Sequence, residues 1–161
     1  MSKGCHTTLV GDRPFCHTPH MITVVVPTLN SETTLAASLS ALVPAVVDGF
    51  VREVIIADGG SRDRTLRIAD QAGATIVRAP RGRGSQIVAG AAKARGQWLM
   101  ILHSDTVLAP GWSRDAATFM EKVDTGRRPA GAASFRFALD DEGIAPRIVE
   151  TLVALRANIL K

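Results

Sequence analysis

The stretch WLMILHSDT, residues 98–106, decides the fold of this 161-residue chain. Its first five residues are all apolar, and polar residues begin abruptly at His103. A continuous apolar run of this length predicts a strand over residues 98–102 that is buried on both faces, as in a parallel sheet between helices. The strand is expected to end where polarity begins, so Asp105 should lie at the carboxyl edge of the sheet. In open α/β folds that edge is where ligands bind.

The elements that precede this stretch predict the same fold class. Apolar strand patterns over residues 22–26, 53–57 and 75–78 alternate with helical patterns. The residues expected to face inward are Leu35, Leu39, Leu42 and Val46 in the first helix, Leu66, Ile68, Ala69 and Ala72 in the second, and Ile87, Val88, Ala91 and Ala94 in the third. Asn30 or Ser31 should cap the first helix, Pro44 should bend or end it, and Ser61 should cap the second. Right-handed crossovers then give an α/β, doubly wound, mostly parallel sheet flanked by helices.

The two ends of the chain carry weaker patterns. After the fourth strand, the sequence predicts a helix over residues 112–123, a half-buried strand over residues 132–139 and a helix over residues 146–160. The last helix has no capping residue, so the domain over residues 21–161 is expected to be incomplete at its C-terminus. Residues 1–20 are interpreted as a flexible leader. The pairs Cys5-His6 and Cys16-His17 leave a zinc site or a disulfide open, but their spacing matches no familiar finger.

The composition is that of an ordinary globular protein, with 46% hydrophobic and 21% charged residues. No apolar run approaches the roughly 20 residues of a membrane-spanning helix. The formal charge of +4 suits small anionic ligands, nucleic acid or an anionic membrane surface. Nucleic acid is disfavoured because aromatic residues make up only 4% and tyrosine is absent. We expect a cytoplasmic protein, with peripheral attachment to the inner face of the membrane and homo-oligomer formation left open.

Three polar clusters follow predicted strands: PTLNSE at residues 27–32, DGGS at residues 58–61 and HSD at residues 103–105. In a doubly wound sheet these clusters converge on one crevice. There Asp58 could accept hydrogen bonds from a nucleobase or a ribose, and Asp105 offers a hard oxygen ligand for Mg²⁺ or Mn²⁺. Arg81 and Arg83 could pair with phosphate. The alternative is that Asp58 and Asn30 only form turns or caps, that His103 is a core residue, and that the arginines are solvated.

Other phosphate-binding and nucleophile motifs fit the chain poorly. The segment GRGSQI, residues 82–87, has two glycines of a dinucleotide-binding fingerprint, but Ile87 stands at the third position. The sequence contains neither a Walker loop with its Lys-Ser/Thr nor a Gly-x-Ser-x-Gly nucleophile elbow. Nicotinamide binding and covalent hydrolysis are therefore disfavoured.

The segments VVVPTLNSE, IIADGGSRDRT and RGRGSQIVAGAAKARGQWLMILHSDT together resemble the family 2 glycosyltransferases of GT-A fold. The resemblance covers residues 22–160 and is nearest to short bacterial members whose Asp-x-Asp motif begins with His. It implies that a uridine or similar nucleoside is held by Pro27, Thr28, Asn30, Glu32 and Asp58, with Arg83 and Gln86 in the loop near the donor. It also implies that Asp105 binds the Mg²⁺ or Mn²⁺ that bridges the diphosphate. His103 replaces an Asp that faces the sugar or ribose, and Val88 replaces a common Asn.

The resemblance implies an inverting transfer of sugar from a nucleotide-diphosphate-sugar donor to an acceptor hydroxyl. The family's general base has no match here, because residues 140–142 form a turn cluster and Glu150 lies in a helical pattern. We therefore expect the chain to carry mainly the donor-binding half; the donor sugar, nucleobase and acceptor are not specified. A nucleotidyltransferase is one alternative, disfavoured because PTLNSE stands where that class carries a basic glycine-rich loop. A non-catalytic nucleotide-binding or interaction module is the other.

Overall fold

The computed structural model describes residues 21–135 and residue 138. In this part of the chain, strands and helices alternate as the sequence predicts. Their bounds are β1 Ile22–Thr28, α1 Leu35–Ser40, α2 Val43–Val47, β2 Val51–Asp58, α3 Thr65–Gln71, β3 Thr75–Arg78, α4 Arg83–Ala91, β4 Trp98–Ile101 and α5 Trp112–Asp124.

The four strands form one parallel sheet in the order β3-β2-β1-β4. The central strand β1 aligns Val24 with Val54 of β2 and with Met100 of β4. This arrangement confirms the predicted parallel α/β sheet flanked by helices. It also brings the carboxyl ends of β1, β2 and β4 next to one another.

The two faces of the sheet are covered unequally. The larger core lies on the face of Val24 and Val26, where residues of α1, α2, α3 and α5 pack. On the opposite face, Val25, Ile55 and Ala57 form a smaller cluster under α4. A Cβ atom at Gly90 of α4 would lie 2.5 Å from Val25 Cγ1, so this helix approaches the sheet closely only because residue 90 is glycine.

The predicted first helix is in fact two short helices, and its predicted cap is wrong. Pro44 lies in the first turn of α2, where a residue without an N–H group costs no hydrogen bond, so a new helix begins there. Val46, expected to face inward, is 46% exposed. Asn30 and Ser31 lie several residues before α1, and Asn30 adopts a left-handed conformation with φ of 52°.

The predicted cap of α3 is also wrong. Ser61 lies in the preceding loop, and the carboxylate of Asp63 accepts a hydrogen bond from the Thr65 N–H at 3.0 Å instead. Gly73 follows the helix with φ of +71°. A left-handed residue after a helix is most easily glycine.

Burial predictions for α4 and β4 are also wrong. Val88 is 69% exposed because α4 turns Gln86 and Gly90 toward the sheet instead. Leu99 and Ile101 are 44% and 45% exposed, although β4 was expected to be buried on both faces. Among the described residues β4 pairs only with β1, and α4 packs over β1, β2 and β3, so the α4 side of β4 is left open.

Several predictions fall wholly or partly outside the described residues. Residues 132–135 are not in a strand, and the rest of the strand predicted over residues 132–139 is outside apart from residue 138. The helix over residues 146–160, the acidic residues 140–142 and 150, and the leader with both cysteines are also outside. Among the helices that the structure describes, none has the length and apolar character needed to span a membrane.

Candidate functional site

The loops after β1 and β2 are joined at the carboxyl edge of the sheet. The N–H of Asn30 donates to Ser61 Oγ at 2.9 Å, and Asn30 Oδ1 accepts from the N–H of Arg62 at 2.9 Å. The convergence predicted for the first two polar clusters is therefore confirmed. The amide oxygen of Asn30, a predicted nucleoside contact, is used within the protein.

A second pair of residues joins the same two loops. Asp63 Oδ2 accepts from the N–H of Glu32 at 3.1 Å, and Glu32 Oε2 accepts from Arg64 N at 2.9 Å and Arg64 Nε at 3.2 Å. Burial raises the pKa of Asp63, but hydrogen bonds from Thr65 and from the Glu32 N–H outweigh that effect and hold it below its ordinary value. The carboxylate of Asp63 therefore helps to fix the site, although the sequence analysis did not single it out.

Asp58 is buried at the end of β2, with only 1% of its surface exposed. Its carboxylate accepts hydrogen bonds from Gly60 N at 2.9 Å, from Ser61 N at 3.0 Å and from the Ser61 hydroxyl. Gly60 has φ of +97°, which lets the loop fold back over the side chain. This is the turn-forming geometry that the sequence left open as an alternative. Direct contact between Asp58 and a nucleoside stays a prediction.

Gln86 joins the carboxyl ends of β1 and β2. From α4, its Nε2 donates to Thr28 O at 2.6 Å and to Ala57 O at 2.8 Å. A Cβ atom at Gly59 would lie 3.1 Å from Gln86 Cδ, so the glycine leaves room for this amide. Gln86 therefore holds strand ends together, and its contact with a donor stays a prediction.

Thr28 carries an unpaired hydroxyl at the end of the central strand. Within the described residues, Thr28 Oγ1 is the one buried side-chain nitrogen or oxygen that has no hydrogen-bond partner. A buried polar atom without a partner typically costs about 1–3 kcal/mol. An exception of this kind needs an explanation, and its position among the residues predicted for the nucleoside suggests a ligand site. Pro27, its neighbour, is also buried.

The loop after β4 presents the third polar cluster. The side chains of His103 and Asp105 are exposed, and neither has a hydrogen bond or ion pair with another described residue. Ser104, between them, bonds through Oγ to Ser31 Oγ at 2.9 Å, which joins this loop to that after β1. All three clusters therefore meet, as predicted.

Asp105 could bind a divalent cation whose other ligands come mainly from a bound substrate and from water. The part of the chain that the structure describes contains no group of three or more His, Cys, Asp or Glu side chains placed to hold a metal. Mg²⁺ is commonly bound through one or two carboxylates together with substrate phosphates and water. A single unpaired carboxylate at the strand edge matches that requirement.

Basic residues flank the opposite end of the site. Arg78 ends β3, and Arg81 and Arg83 follow in the loop and first turn of α4. All three are exposed, and none has an ion pair with another residue that the structure describes. The strand order places Arg78 three strands from β4, or roughly 14 Å at about 4.8 Å per strand, whereas α4, which begins at Arg83, packs over β1, β2 and β3. The carboxyl edge thus runs from positive to negative.

Several residues build the site through hydrogen bonds that the sequence did not predict. They donate or accept hydrogen bonds between loops, and they are Ser31, Ser38, Ser61, Arg62, Asp63, Arg64, Thr65 and Ser104. Ser31 N donates to Thr65 Oγ1 at 2.7 Å, although the two residues are 34 positions apart. Hydroxyl residues in loops usually bond locally, so their long-range partners cannot be read from spacing.

Comparison with known proteins identifies the family. The family model described as glycosyl transferase family 2 matches residues 23–144. The chain belongs to this family. Glucosyl-3-phosphoglycerate synthase of Mycolicibacterium paratuberculosis is 33% identical over 95 residues, which are 53% of this chain and 29% of that protein. The synthase of Mycobacterium tuberculosis is 29% identical over 107 residues, which are 61% of this chain and 33% of that protein.

Solved structures agree with the fold. The M. tuberculosis synthase in complex with uridine diphosphate is 31% identical with a TM-score of 0.50, over 55% of this chain and 35% of that chain. The crystal structure of a mycobacterial protein is 29% identical with a TM-score of 0.56, over 63% of this chain and 37% of that chain. The chain thus spans about a third of the length of the curated relatives it matches. The match confirms the family predicted from the three sequence segments.

Proposed function

We propose that this chain binds the nucleotide-diphosphate-sugar donor of an inverting glycosyltransferase at the carboxyl edge of its sheet. The observation that carries this function is the unpaired carboxylate of Asp105, next to the joined loops of β1 and β2 in a family 2 chain. A related solved structure contains uridine diphosphate (UDP), so UDP is the probe of choice. A non-catalytic nucleotide-binding module would share this binding but not the transfer.

The nucleoside is proposed to lie over β1 and β2, and the diphosphate toward β4. Asn30, Glu32 and Asp58 shape the nucleoside side, where the buried Thr28 hydroxyl is unpaired. Asp105 would hold Mg²⁺ or Mn²⁺, which when bound stabilises the negative charge of the departing diphosphate. His103 is exposed two residues before Asp105, and we propose that it contacts the sugar or ribose.

The donor loop contributes positive charge to the same site. Arg83 is exposed at the start of α4 and would pair with donor phosphate, because a guanidinium can bind phosphate oxygens in pairs. Gln86 acts indirectly by joining the ends of β1 and β2, and Pro27 is buried in β1 next to Thr28. An acceptor hydroxyl would then attack the anomeric carbon with inversion while the bond to the diphosphate breaks. None of the described residues is assigned as the base for that step.

Thermal unfolding with UDP and Mn²⁺ tests the donor site. We expect both together to raise the melting temperature of the wild-type chain, because a ligand at about 100 times its Kd stabilises the folded state by about 2.7 kcal/mol. Asp105→Asn should lose the Mn²⁺-dependent part of this rise. Asp70→Asn, an exposed acid on α3, is the matched control and should keep it.

Two results would refute the donor site. One is an unchanged melting temperature at millimolar UDP and Mn²⁺ in the wild-type chain. The other is an equal rise in wild type and Asp105→Asn, which would place the cation elsewhere. Binding of UDP without any transfer from a panel of nucleotide sugars would favour the non-catalytic module.

Three further proposals rest on the sequence alone, with its charge of +4. They are cytoplasmic location, peripheral attachment to the inner face of the membrane, and self-association. Co-sedimentation with vesicles that contain anionic lipid tests the attachment, and it should weaken with added salt. Gel filtration over a range of protein concentrations tests self-association. An elution volume that does not change and corresponds to 17.1 kDa would exclude a stable oligomer.

A further inference from the structure

The loop that carries Asp105 is fastened to the first helix by serine hydroxyls. Ser38, on α1, donates from Oγ to the backbone carbonyl of Ser104 at 3.0 Å. Ser31, just before α1, bonds through Oγ to Ser104 Oγ at 2.9 Å. Both bonds reach the residue directly before Asp105, across 66 and 73 positions of sequence.

The two serines on the α1 side are buried, whereas the loop they hold is open. Ser38 has no exposed surface and Ser31 only 8%, while His103 and Asp105 are exposed on either side of Ser104. A buried hydroxyl keeps its hydrogen bond to a protein partner, because no water reaches it to compete for that bond. The exposed carboxylate of Asp105 has no side-chain partner among the described residues, so its position depends on the backbone.

Ser38 uses its hydroxyl differently from a neighbouring serine on the same helix. Ser40 Oγ donates to the carbonyl of Ala36, four residues earlier, at 2.8 Å. The equivalent local carbonyl for Ser38 is Thr34 O, which lies 3.5 Å away, while Ser104 O is at 3.0 Å. The shorter distance is the stronger hydrogen bond, so the hydroxyl of Ser38 serves the loop after β4.

Ser31 extends the same connection to the nucleoside side. Its N–H donates to Thr65 Oγ1 at 2.7 Å, and Thr65 is the fully buried first residue of α3. The loop after β4, the start of α1 and the start of α3 are therefore held in one hydrogen-bonded series. Leu102 N, which donates to Val25 O at 3.0 Å, fixes the other end of the loop to β1.

We propose that Ser38 and Ser31 are positioning residues that fix the Asp105 carboxylate where a divalent cation and a diphosphate meet. This role rests on the proposed function, because it presumes that Asp105 binds the cation. Neither serine touches the ligand. Each acts through Ser104, and the loss of either hydroxyl should loosen the carboxylate without altering the nucleoside side.

The test compares Ser38→Ala with Ser40→Ala by calorimetric titration. Mn²⁺ is titrated into each protein in the presence of UDP, and UDP is titrated separately without metal. We expect Ser38→Ala to raise the Mn²⁺ concentration at half-saturation about five- to tenfold, as loss of one hydrogen bond would. UDP affinity without metal should stay within about twofold, and Ser40→Ala should match wild type in both titrations.

A double-mutant cycle tests the second bond. Ser31→Ala and Ser104→Ala should each weaken Mn²⁺ binding, and the double variant should be no worse than the more affected single variant, because both remove the same hydrogen bond. Independent, additive losses would overturn the role of Ser31. This cycle also covers the case in which Ser38→Ala does not fold.

Hydrogen exchange in the ligand-free protein separates this inference from the proposed function. In Ser38→Ala, the backbone amide of Thr106, which donates to His103 O at 3.1 Å, should exchange about fivefold faster than in Ser40→Ala. The inference is overturned if the two variants exchange alike, or if Ser38→Ala weakens metal-free UDP binding as much as Mn²⁺ binding. If wild type binds no Mn²⁺ with UDP, the proposed function fails, and the positioning role fails with it even where exchange is altered.

Discussion

The two ends of the parallel sheet differ in how completely the protein satisfies its own polar groups. At the amino end, Thr23, Glu53, Arg95 and Gly96 form a closed network, called here the amino-edge cluster. At the carboxyl end, the side chains of His103 and Asp105 and the Thr28 hydroxyl have no partner among the described residues. A buried group without a partner, such as the Thr28 hydroxyl, costs stability, whereas an exposed group without a protein partner remains available to a ligand. The amino end stabilises the fold, and the carboxyl end carries the proposed donor site.

The amino-edge cluster is built around one buried carboxylate. The side chain of Glu53 is only 8% exposed, and it accepts hydrogen bonds from Thr23 Oγ1 at 2.9 Å, from Arg95 N at 2.7 Å and from Arg95 Nε and NH2 at 2.9 and 2.7 Å. Gly96 N completes the network by donating to Thr23 Oγ1 at 2.8 Å. The network ties β1, β2 and the segment before β4 together, far from the proposed donor.

The largest expected effect comes from Gly96→Ala. A Cβ atom there would lie 2.6 Å from Thr23 N and 2.7 Å from Met21 O, and these backbone atoms cannot move without disturbing β1. We expect a loss of about 2–3 kcal/mol in the free energy of unfolding, measured by urea denaturation. Gly84→Ala, near the carboxyl end, is the control. Its Cβ meets open space, and alanine in a helix should stabilise by about 0.5–1 kcal/mol.

If Gly96→Ala were as stable as wild type, the contrast between the two ends would be contradicted. The amino edge would then accommodate a Cβ atom despite the close backbone contacts at residue 96. A loss of stability in Gly84→Ala would also contradict the contrast between the two ends of the sheet. The carboxyl end would then depend on tight packing that the structure does not show around residue 84.

Glu53→Gln should have the next largest effect. The amide keeps the shape of the side chain but removes the charge that Arg95 and Thr23 satisfy, and hydrogen bonds to charged groups are stronger than neutral ones. We expect the free energy of unfolding to fall by about 1–2 kcal/mol. This loss is small for a buried charge, because the side chain of its partner Arg95 is 66% exposed. Glu32→Gln at the carboxyl end should cost less than about 1 kcal/mol, since Glu32 and Arg64 are 33% and 75% exposed. Similar losses in both variants would remove the distinction between the two ends.

The pH dependence of unfolding should follow the same cluster. Burial raises the pKa of Glu53. The hydrogen bonds from Arg95 and Thr23, together with the charge of Arg95, outweigh this effect, so the pKa lies below the ordinary value of 4.5. Because the pKa is lowered in the folded state, ionised Glu53 makes its full contribution to the free energy of unfolding above pH 4.5. This contribution is lost as the pH falls through the folded-state pKa. The stability difference between wild type and Glu53→Gln should therefore be constant near pH 7 and shrink below pH 4.5. A difference that grows on acidification would contradict the assignment.

The contrast between the two ends also explains what could be predicted from the sequence. The apolar runs of β1, β2 and β3 and the helix of α5 were predicted because hydrophobic periodicity follows directly from burial. Convergence of the polar clusters followed from the topology of a parallel sheet. The candidate site residues at the carboxyl end could be singled out because acidic and amide side chains after apolar strands are conspicuous.

What the sequence did not predict depends on tertiary contacts. The inward placement of Val88 was wrong because alanine, valine and glycine give a weak pattern, and the close approach of α4 to Val25 requires glycine at residue 90. The exposure of Leu99 and Ile101 was missed because an apolar run does not reveal whether a strand has neighbours on both sides. The partners of Ser31, Ser38 and Glu53 lie far along the chain, so local spacing contains no information about them.

The smallest expected effect on stability is that of Asp105→Asn, the variant with the largest expected effect on binding. The Asp105 side chain is exposed and has no partner among the described residues, so no stabilising contact is lost in the ligand-free protein. We expect the free energy of unfolding to stay within about 0.5 kcal/mol of wild type, measured by urea denaturation without ligand. Glu53→Gln is the counterpart, with a clear loss of stability and unchanged Mn²⁺-dependent UDP binding. If Asp105→Asn destabilised the ligand-free fold as much as Glu53→Gln does, Asp105 would be a structural group, and the carboxyl end would not differ in kind from the amino end.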